Sequence, residues 1–170
     1  MQRQAPSGPM YEFRPVTRAD YDMLRGWLGQ AHVAPVWGPP EHEIALIDAD
    51  IDGGDCQMHV VSQDGVAFAF IQDWCPHLAG VPHFTDTVPR TRAVDTFLGV
   101  PSFLGQCHAK AYVRQYAQTL LDGGAAEVVT DPRLTNPRGI AIFRGAGFIP
   151  GEVRPCEDGE LVQNMHFRRS

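Results

Sequence analysis

One segment near the middle of the chain constrains the fold most, because a long amphipathic helix pattern lies between two short apolar runs. Residues 105–121 place apolar side chains at the spacing of one helix face, and Gly123 and Gly124 end the pattern. Residues 93–100 and 126–130 have the length and apolar character of buried strands. A helix that joins two strands in this way is typical of a crossover connection. The segment therefore predicts an α/β fold with a crossover helix.

The beginning of the chain predicts one strand followed by two helices. Residues 11–16 alternate as a strand, and residues 21–28 carry apolar side chains at helical spacing behind a plausible N-terminal cap. Residues 33–40 form a proline-rich turn, and residues 40–50 predict a second helix. The side chains that we expect on the buried side of this second helix are Ile44, Leu46 and Ile47.

A hairpin and a final helix complete the predicted order. Residues 57–62 and 66–74 are apolar runs separated by a turn with an Asp-Gly pair, which is a strong hairpin signal. Asn136 and Pro137 are typical of a helix cap and a first helical position. We expect this last helix to end by Gly145 or Gly147, and residues 161–167 to close the sheet.

Composition excludes some classes of function. The 170 residues carry a formal net charge of -6, which disfavours a nucleic-acid partner and suits a cationic substrate. No apolar run is long enough to cross a bilayer, so we expect no membrane partner. The four cysteines are scattered without a CxxC pair, as is usual for free thiols in a reducing compartment. Residues 1–9 resemble a disordered leader rather than a signal peptide, and we expect a cytoplasmic protein.

Three motifs in the second half carry a family resemblance. Residues 130–132 read Thr-Asp-Pro, residues 136–140 read Asn-Pro-Arg-Gly-Ile, and residues 145–148 read Gly-Ala-Gly-Phe. Together with the order of strands and helices, these motifs resemble the GNAT family of N-acyltransferases. The resemblance implies one α/β (α+β) domain over residues 10–170, with a central mixed, twisted sheet of about six to seven strands and about four helices.

Upstream motifs narrow the resemblance to one branch of that family. Residues 36–39 read Val-Trp-Gly-Pro, residues 68–72 read Phe-Ala-Phe-Ile-Gln, and residues 93–95 read Ala-Val-Asp. They resemble the branch that contains aminoglycoside 6′-N-acetyltransferases and siderophore-pathway acyltransferases. This branch implies acetyl-CoA as co-substrate, a small-molecule amine as acceptor and no metal.

The resemblance also implies a set of residues that bind acetyl-CoA. In the family, the fourth and fifth strands diverge and the pantetheine arm lies between them like an extra strand, while the diphosphate lies at a helix N-terminus. Here the glycine-rich phosphate loop has Leu104 at its first position and Cys107 at its central glycine, with His108 and Lys110 as compensating charges. The alternative is an ordinary helix start with a solvated lysine. The expected cofactor-binding residues are Thr96, Phe97, Leu98, Gly105, Gln106, Cys107, His108, Ala109, Lys110, Asn136 and Phe143.

The same resemblance suggests candidates for the chemistry. Asp95, on the strand expected to bind the acetyl group, is the candidate general base or amine anchor, and a strand-end cap is the alternative. Asp131 would bind a second amine, unless it only begins a turn. Asp73 and Trp37 would line the acceptor pocket, although a place in the core is nearly as compatible with Trp37. Phe143 occupies the position where the family usually has a tyrosine that protonates the thiolate, so Tyr112 or solvent would replace it.

We therefore expect an N-acetyltransferase that acts by direct attack of a primary amine, as a monomer or a homodimer. The alternatives are a degenerate binding module without catalysis and a siderophore-pathway acyltransferase. For Cys75, His77 and His83 we favour a surface loop over a metal site, because no second ligand pair accompanies them. An acyl-enzyme on Cys107 is also disfavoured, since the adjacent His108 need not face it.

Overall fold

The computed structural model describes residues 10–170, and seven strands and six α-helices form its framework. The strands are β1 (Glu12–Pro15), β2 (Gln57–Gln63), β3 (Val66–Trp74), β4 (Thr91–Leu98), β5 (Glu127–Thr130), β6 (Ile149–Pro155) and β7 (Leu161–Phe167). The helices are α1 (Tyr21–Leu28), α2 (Ala34–Trp37), α3 (Pro40–Asp50), α4 (Pro76–Ala79), α5 (His108–Asp122) and α6 (Pro137–Ala146). Short 3₁₀ turns lie at Arg18–Asp20, Pro82–Phe84 and Pro101–Phe103.

All seven strands form one mixed sheet in the order β1-β2-β3-β4-β5-β7-β6. The neighbours are antiparallel except for β4 and β5, which are parallel and are connected through α5. The predicted crossover and the predicted α/β class are therefore confirmed.

Strands β4 and β5 are paired over only three residues, Thr91–Ala93 against Glu127–Val129. Beyond Ala93, β4 continues beside β3 to Leu98, whereas β5 ends at Thr130. The Thr130 hydroxyl still donates to Val94 O at 3.0 Å. The two strands diverge after this contact, and the edge of β4 that would face β5 lines a cavity from Thr96 onward.

Helices cover both faces of the sheet. Alternate side chains of β4 point to opposite faces, so the strand contributes to the core on each side. Val94 and Leu98 pack with buried residues of α5 and α6, including Tyr112 and Phe143. Phe97 packs on the other face with buried residues of α1 and α3. Each fully buried large apolar side chain contributes about 1.5–3 kcal/mol. The two cores hold β4 from both sides next to the gap.

Local sequence signals explain several boundaries. The predicted hairpin turn is confirmed at Asp64 and Gly65, whose φ values of 49° and 78° are those of a two-residue turn with both central residues left-handed. Helix α3 spans the predicted residues 40–50, but Leu46 is 48% exposed, so its expected burial is wrong.

Other elements were not predicted because they lack a periodic pattern. Helices α2 and α4 are single turns that begin at or beside a proline. Strand β6 contains two prolines and a glycine, forms the edge of the sheet, and is exposed along most of its length, so it has no buried alternating face. The predicted leader at residues 1–9 lies outside the described residues.

The end of β4 depends on a close contact between Gly99 and Trp27. A Cβ atom added at Gly99 would lie 2.2 Å from Trp27 Cγ. We expect Gly99→Ala to lower the free energy of unfolding by about 1–3 kcal/mol through overpacking, measured by urea denaturation. Gly26→Ala is the matched control, since Gly26 lies on the exposed face of helix α1 and nothing lies within 4 Å of an added Cβ; it should be stabilising. Equal effects of the two substitutions would contradict the packing argument.

Candidate functional site

The gap between β4 and β5 opens into a channel made of three connected cavities. A cavity of about 290 Å³ lies at the N-terminus of α5, and a narrower one of about 110 Å³ lies between β4 and α6. A third cavity of about 280 Å³ lies at the end of β5. Leu98, Leu104 and Arg138 border both of the first two cavities, while Thr96, Asn136 and Phe143 border the second and third. A long ligand could therefore extend from the helix terminus to the third cavity, which we call the acidic cleft.

Asp95 lies at the base of the acidic cleft, on the face of β4 that is opposite α5. Its Oδ2 atom accepts hydrogen bonds from Gln72 Nε2 at 3.0 Å and Trp74 Nε1 at 2.8 Å. No donor among residues 10–170 reaches Oδ1. Burial, followed by the nearby negative charge of Asp131, raises the pKa of Asp95 to about 6, although the two hydrogen bonds act in the opposite direction. A carboxylate with such a pKa and one free oxygen is suited to accept a proton near neutral pH.

Asp131 follows directly on β5 and faces the same cleft. Its Oδ2 atom accepts a hydrogen bond from His83 Nε2 at 2.5 Å. The His83 side chain is only 2% exposed and comes from the 3₁₀ turn Pro82–Phe84, so the predicted surface loop is wrong at this position. The sequence gives no signal for this contact, because His83 and Asp131 are 48 residues apart. His83 therefore orients the second carboxylate of the cleft.

Two further carboxylates, and one arginine whose charge is already paired, complete the acidic cleft. Glu43 from α3 and Glu157 from the β6–β7 turn both line it, and burial raises the pKa of Glu43. Arg133 also lines the cleft, but its guanidinium is paired with Asp158 at 2.7 Å and Glu160 at 2.8 Å. The cleft therefore presents an excess of carboxylates to a ligand.

Trp37 forms one wall of the acidic cleft and is also part of the core beneath it. Its ring meets Phe97 edge-on at 5.0 Å and Phe70 at 6.0 Å. Both sequence interpretations of this residue are therefore compatible with its position.

Asp73 does not line the cleft, so this expectation is wrong. Neighbouring residues of β3 point to opposite faces, and Asp73 points toward α5 while Gln72 and Trp74 point toward Asp95. Asp73 is 2% exposed, pairs with Arg92 Nε at 2.6 Å and accepts a hydrogen bond from Tyr116. These contacts give Asp73 a structural role inside the protein.

The backbone of β4 offers alternate residues to the gap. Gly99 N donates to Phe68 O. Because backbone hydrogen bonds alternate along an antiparallel pair, the N–H and C=O groups of Phe97 face β3, and those of Thr96 and Leu98 face the gap. The prediction that Phe97 supplies free backbone groups is therefore wrong, although its side chain lines the narrow cavity. His32 Nε2 already donates to Leu98 O at 2.7 Å.

The loop before α5 retains the conformation of a glycine at Cys107. Cys107 has a φ of 64° and Gly105 a φ of 73°, both in the left-handed region. Such a conformation costs a residue with a Cβ about 1–2 kcal/mol. The first N–H groups of α5 have no partner within the helix and favour an anion.

The cavity at the N-terminus of α5 contains both of the expected basic residues and one more. His108 is half-buried and borders this cavity, and its Nδ1 atom lies 2.9 Å from Tyr11 Oη. Lys110 and Arg138 both border the cavity at the N-terminus of α5. Arg138, which is not among the expected site residues, therefore adds a further cation beside Lys110.

Helix α6 closes the channel with Asn136 and Phe143. The Asn136 side chain caps the helix by accepting from Gly139 N at 3.0 Å. Phe143 is 6% exposed and provides no hydroxyl. The Tyr112 hydroxyl borders the narrow cavity but lies 2.8 Å from Thr96 Oγ1, which itself donates to Phe70 O. The Tyr112 proton is therefore directed to Thr96, and burial raises the pKa of this tyrosine.

The arrangement of the described side chains bears on two further kinds of site, a metal centre and a disulfide bond. Within the described part of the chain, His, Cys, Asp and Glu side chains form no group of three or more suited to a metal ion. All four cysteines are free thiols.

None of the helices within residues 10–170 combines the length and the apolar character that a membrane-spanning helix needs.

Comparisons with known proteins agree with this geometry. The family model described as "Acetyltransferase (GNAT) domain" matches residues 16–154. An aminoglycoside N(6′)-acetyltransferase type 1 from Klebsiella pneumoniae is 25% identical over 166 residues, covering 92% of this chain and 83% of the relative.

Solved structures share the fold. The aminoglycoside acetyltransferase AAC(6′)-Ib in complex with coenzyme A and kanamycin aligns with a TM-score of 0.80 and 22% identity, covering 94% of this chain and 95% of that chain. An uncharacterized protein from Bacillus halodurans aligns with a TM-score of 0.80 and 20% identity, covering 93% of this chain and 83% of that chain. The predicted fold is thereby confirmed.

The raised pKa of Asp95 makes stability depend on pH. The folded state binds this proton more tightly than the unfolded chain, whose aspartates titrate near ~3.9, so stability is lost as pH rises from about 4 through about 6. Asp95→Asn cannot ionise and keeps an oxygen for both donors. Its free energy of unfolding relative to the parent should increase between pH 4 and pH 7, on the order of 2 kcal/mol, by urea denaturation. Asp22→Asn controls for the lost charge; a flat Asp95→Asn difference would contradict the burial argument.

The left-handed Cys107 gives a second prediction. Cys107→Gly should relieve the strained φ and raise the free energy of unfolding by about 1 kcal/mol. Urea denaturation measures this, and Cys107→Ala, which retains a Cβ in the left-handed region, is the matched control and should give no such gain. Equal free energies of unfolding for the Gly and Ala variants would contradict backbone strain at this loop.

Proposed function

This chain belongs to the GNAT acetyltransferase family, and within it we propose that the protein transfers acetyl from acetyl-CoA to a primary amine of a small polycation. The 6′ amine of an aminoglycoside is the proposed acceptor class. The observation that carries the proposal is the position of the acidic cleft, directly where β4 and β5 diverge. An acceptor held by several carboxylates would there meet an acyl donor held along β4.

The channel supports a defined place for acetyl-CoA. Its diphosphate would bind the N–H groups at the start of α5, between Gly105 and Lys110, with Arg138 as a further cation. Its pantetheine arm would follow the narrow cavity and bond to the backbone of Thr96, with Asn136 and Phe143 on the opposite wall. The thioester would then lie at the border between the narrow cavity and the acidic cleft.

Asp95 would act on the acceptor amine at this border. Its free Oδ1 atom accepts the proton, the amine nitrogen bonds to the thioester carbon, and the C–S bond breaks. A backbone N–H of β4 would stabilise the negative carbonyl oxygen of the tetrahedral intermediate. Because Phe143 has no proton to give and the Tyr112 proton is bound to Thr96, solvent would protonate the departing thiolate.

The remaining acids would bind other ammonium groups of the acceptor. Asp131, oriented by His83, is the nearest of them, and Glu43 and Glu157 extend the negative surface outward. Trp37 would stack on a sugar ring at the wall of the cleft. A carboxylate-lined cleft supports a polycationic acceptor, whereas an apolar tunnel would have supported the acyl-chain or siderophore-pathway alternative.

A free-thiol release assay tests this function with two aminoglycosides that differ only at the 6′ position, one bearing an amine and the other a hydroxyl. We expect turnover with the 6′ amine and none with the 6′ hydroxyl. Asp95→Asn should reduce kcat about 10²–10⁴-fold, as for loss of a general base. Asp22→Asn, on the exposed face of α1, is the control and should retain activity.

Equal turnover of the two aminoglycosides would contradict the 6′ acceptor. An unaffected kcat in Asp95→Asn would contradict the role of Asp95. No turnover with any amine, despite binding of acetyl-CoA, would contradict the proposed transfer itself.

A further inference from the structure

Two side chains of β3 bind the same oxygen of Asp95. Gln72 and Trp74 are two residues apart, so both point to the face of the sheet on which Asp95 lies. Both donate to Oδ2, at 3.0 Å and 2.8 Å, whereas Oδ1 receives no donor from residues 10–170. Asp95 therefore has one carboxylate oxygen that the protein holds by hydrogen bonds and a second oxygen that faces the cleft.

Each of these donors is held by a further contact. The Cys56 thiol lies 3.5 Å from Gln72 Oε1 and donates to it, which directs the amide NH₂ group toward Asp95. The Trp74 indole packs edge-on against Phe84, with ring centroids 6.2 Å apart. Phe84 is 2% exposed and fixed in a small core with Ala93 and Val129. Neither donor can easily turn away.

We propose that Trp74 and Gln72 are positioning residues that fix the Asp95 carboxyl group, aim its Oδ1 atom at the acceptor amine and stabilise its ionised form. This inference rests on the proposed role of Asp95 as general base. Without the two donors, the carboxyl group would be free to rotate and would hold its proton more tightly. Trp74 thus serves the reaction without touching the substrate.

The charges around Asp95 explain why such support is needed. Burial and Asp131 favour the protonated form of Asp95, while Gln72, Trp74 and His83 favour the carboxylate. The other ionisable groups nearby are Cys56, whose pKa burial raises to about 12, and Glu43, Glu157 and Arg133, which line the same cleft. The two neutral donors on β3 are therefore the main opposition to burial.

Trp74→Phe tests the inference, because it keeps an aromatic ring against Phe84 and removes only the N–H donor. The pH dependence of kcat/KM should show an acidic limb near pH 6 in the parent enzyme. In Trp74→Phe this limb should move to higher pH by about one unit, since a hydrogen bond to a charged group is lost. The loss of activity should thus be about fivefold at pH 6, approach about tenfold below pH 5, and be much smaller at pH 9.

Gln72→Met is the second variant and should move the limb in the same direction. Trp27→Phe is the matched control, because Trp27 lies in the core on the same face of the sheet, away from Asp95. It should lower the melting temperature without moving the limb. The thermal shift produced by acetyl-CoA shows in each variant that the fold and the donor site persist.

The outcomes separate this inference from the proposed function. If Asp95→Asn loses activity but the acidic limb stays in place in both Trp74→Phe and Gln72→Met, the positioning role is overturned and the general base remains. If Trp27→Phe moves the limb equally, the effect is one of packing, and the positioning role is again overturned. If Asp95→Asn keeps its full kcat/KM, the general-base role of Asp95 and the positioning role both fail, while the proposed acetyl transfer itself is not contradicted.

Discussion

The site depends on the early separation of two parallel strands. β4 and β5 share only three paired residues, after which β4 continues alone on that side. Backbone groups that would otherwise complete a sheet are left available to a ligand, while the cores on both faces keep β4 extended. The gap thus gives one strand two tasks, because its edge can bind an acyl donor and its side chain Asp95 can reach an acceptor.

The carboxylates at this gap are costly to bury, and the structure offsets that cost with neutral donors and a histidine. Asp95 is supported by Gln72 and Trp74, and Asp131 by His83. The rings of Trp74 and His83 both pack against Phe84, with centroids 6.2 Å and 4.6 Å away. One short segment before β4 therefore supports both acids, which explains why a stretch with no sequence motif matters to the site.

The sequence predicted what local patterns determine. The Asp-Gly turn, the helix at residues 40–50 and the Asn-Pro cap of α6 were identified because each depends on nearby residues. The family resemblance leads us to expect the pantetheine arm between the fourth and fifth strands, where the structure has a gap. The edge strand β6 was missed because an exposed strand with two prolines leaves no alternating apolar pattern.

Contacts between distant segments could not be predicted in this way. The family resemblance suggests Asp73 for the acceptor pocket, but the pleat of β3 directs it to Arg92 on the other face. The sequence around His83 favours a surface loop, whereas in the structure the buried His83 contacts Asp131, 48 residues away. Which backbone groups of β4 are free depends on its register with β3, and this excluded Phe97.

A crystal structure with coenzyme A and an aminoglycoside that carries a 6′ amine tests the central claim most directly. The account predicts that the pantetheine arm lies in the gap between β4 and β5, and that the 6′ nitrogen lies within about 2.6–3.2 Å of Asp95 Oδ1, or one water away. A pantetheine arm outside the gap, or a 6′ nitrogen beyond the reach of one water from Asp95, would contradict it.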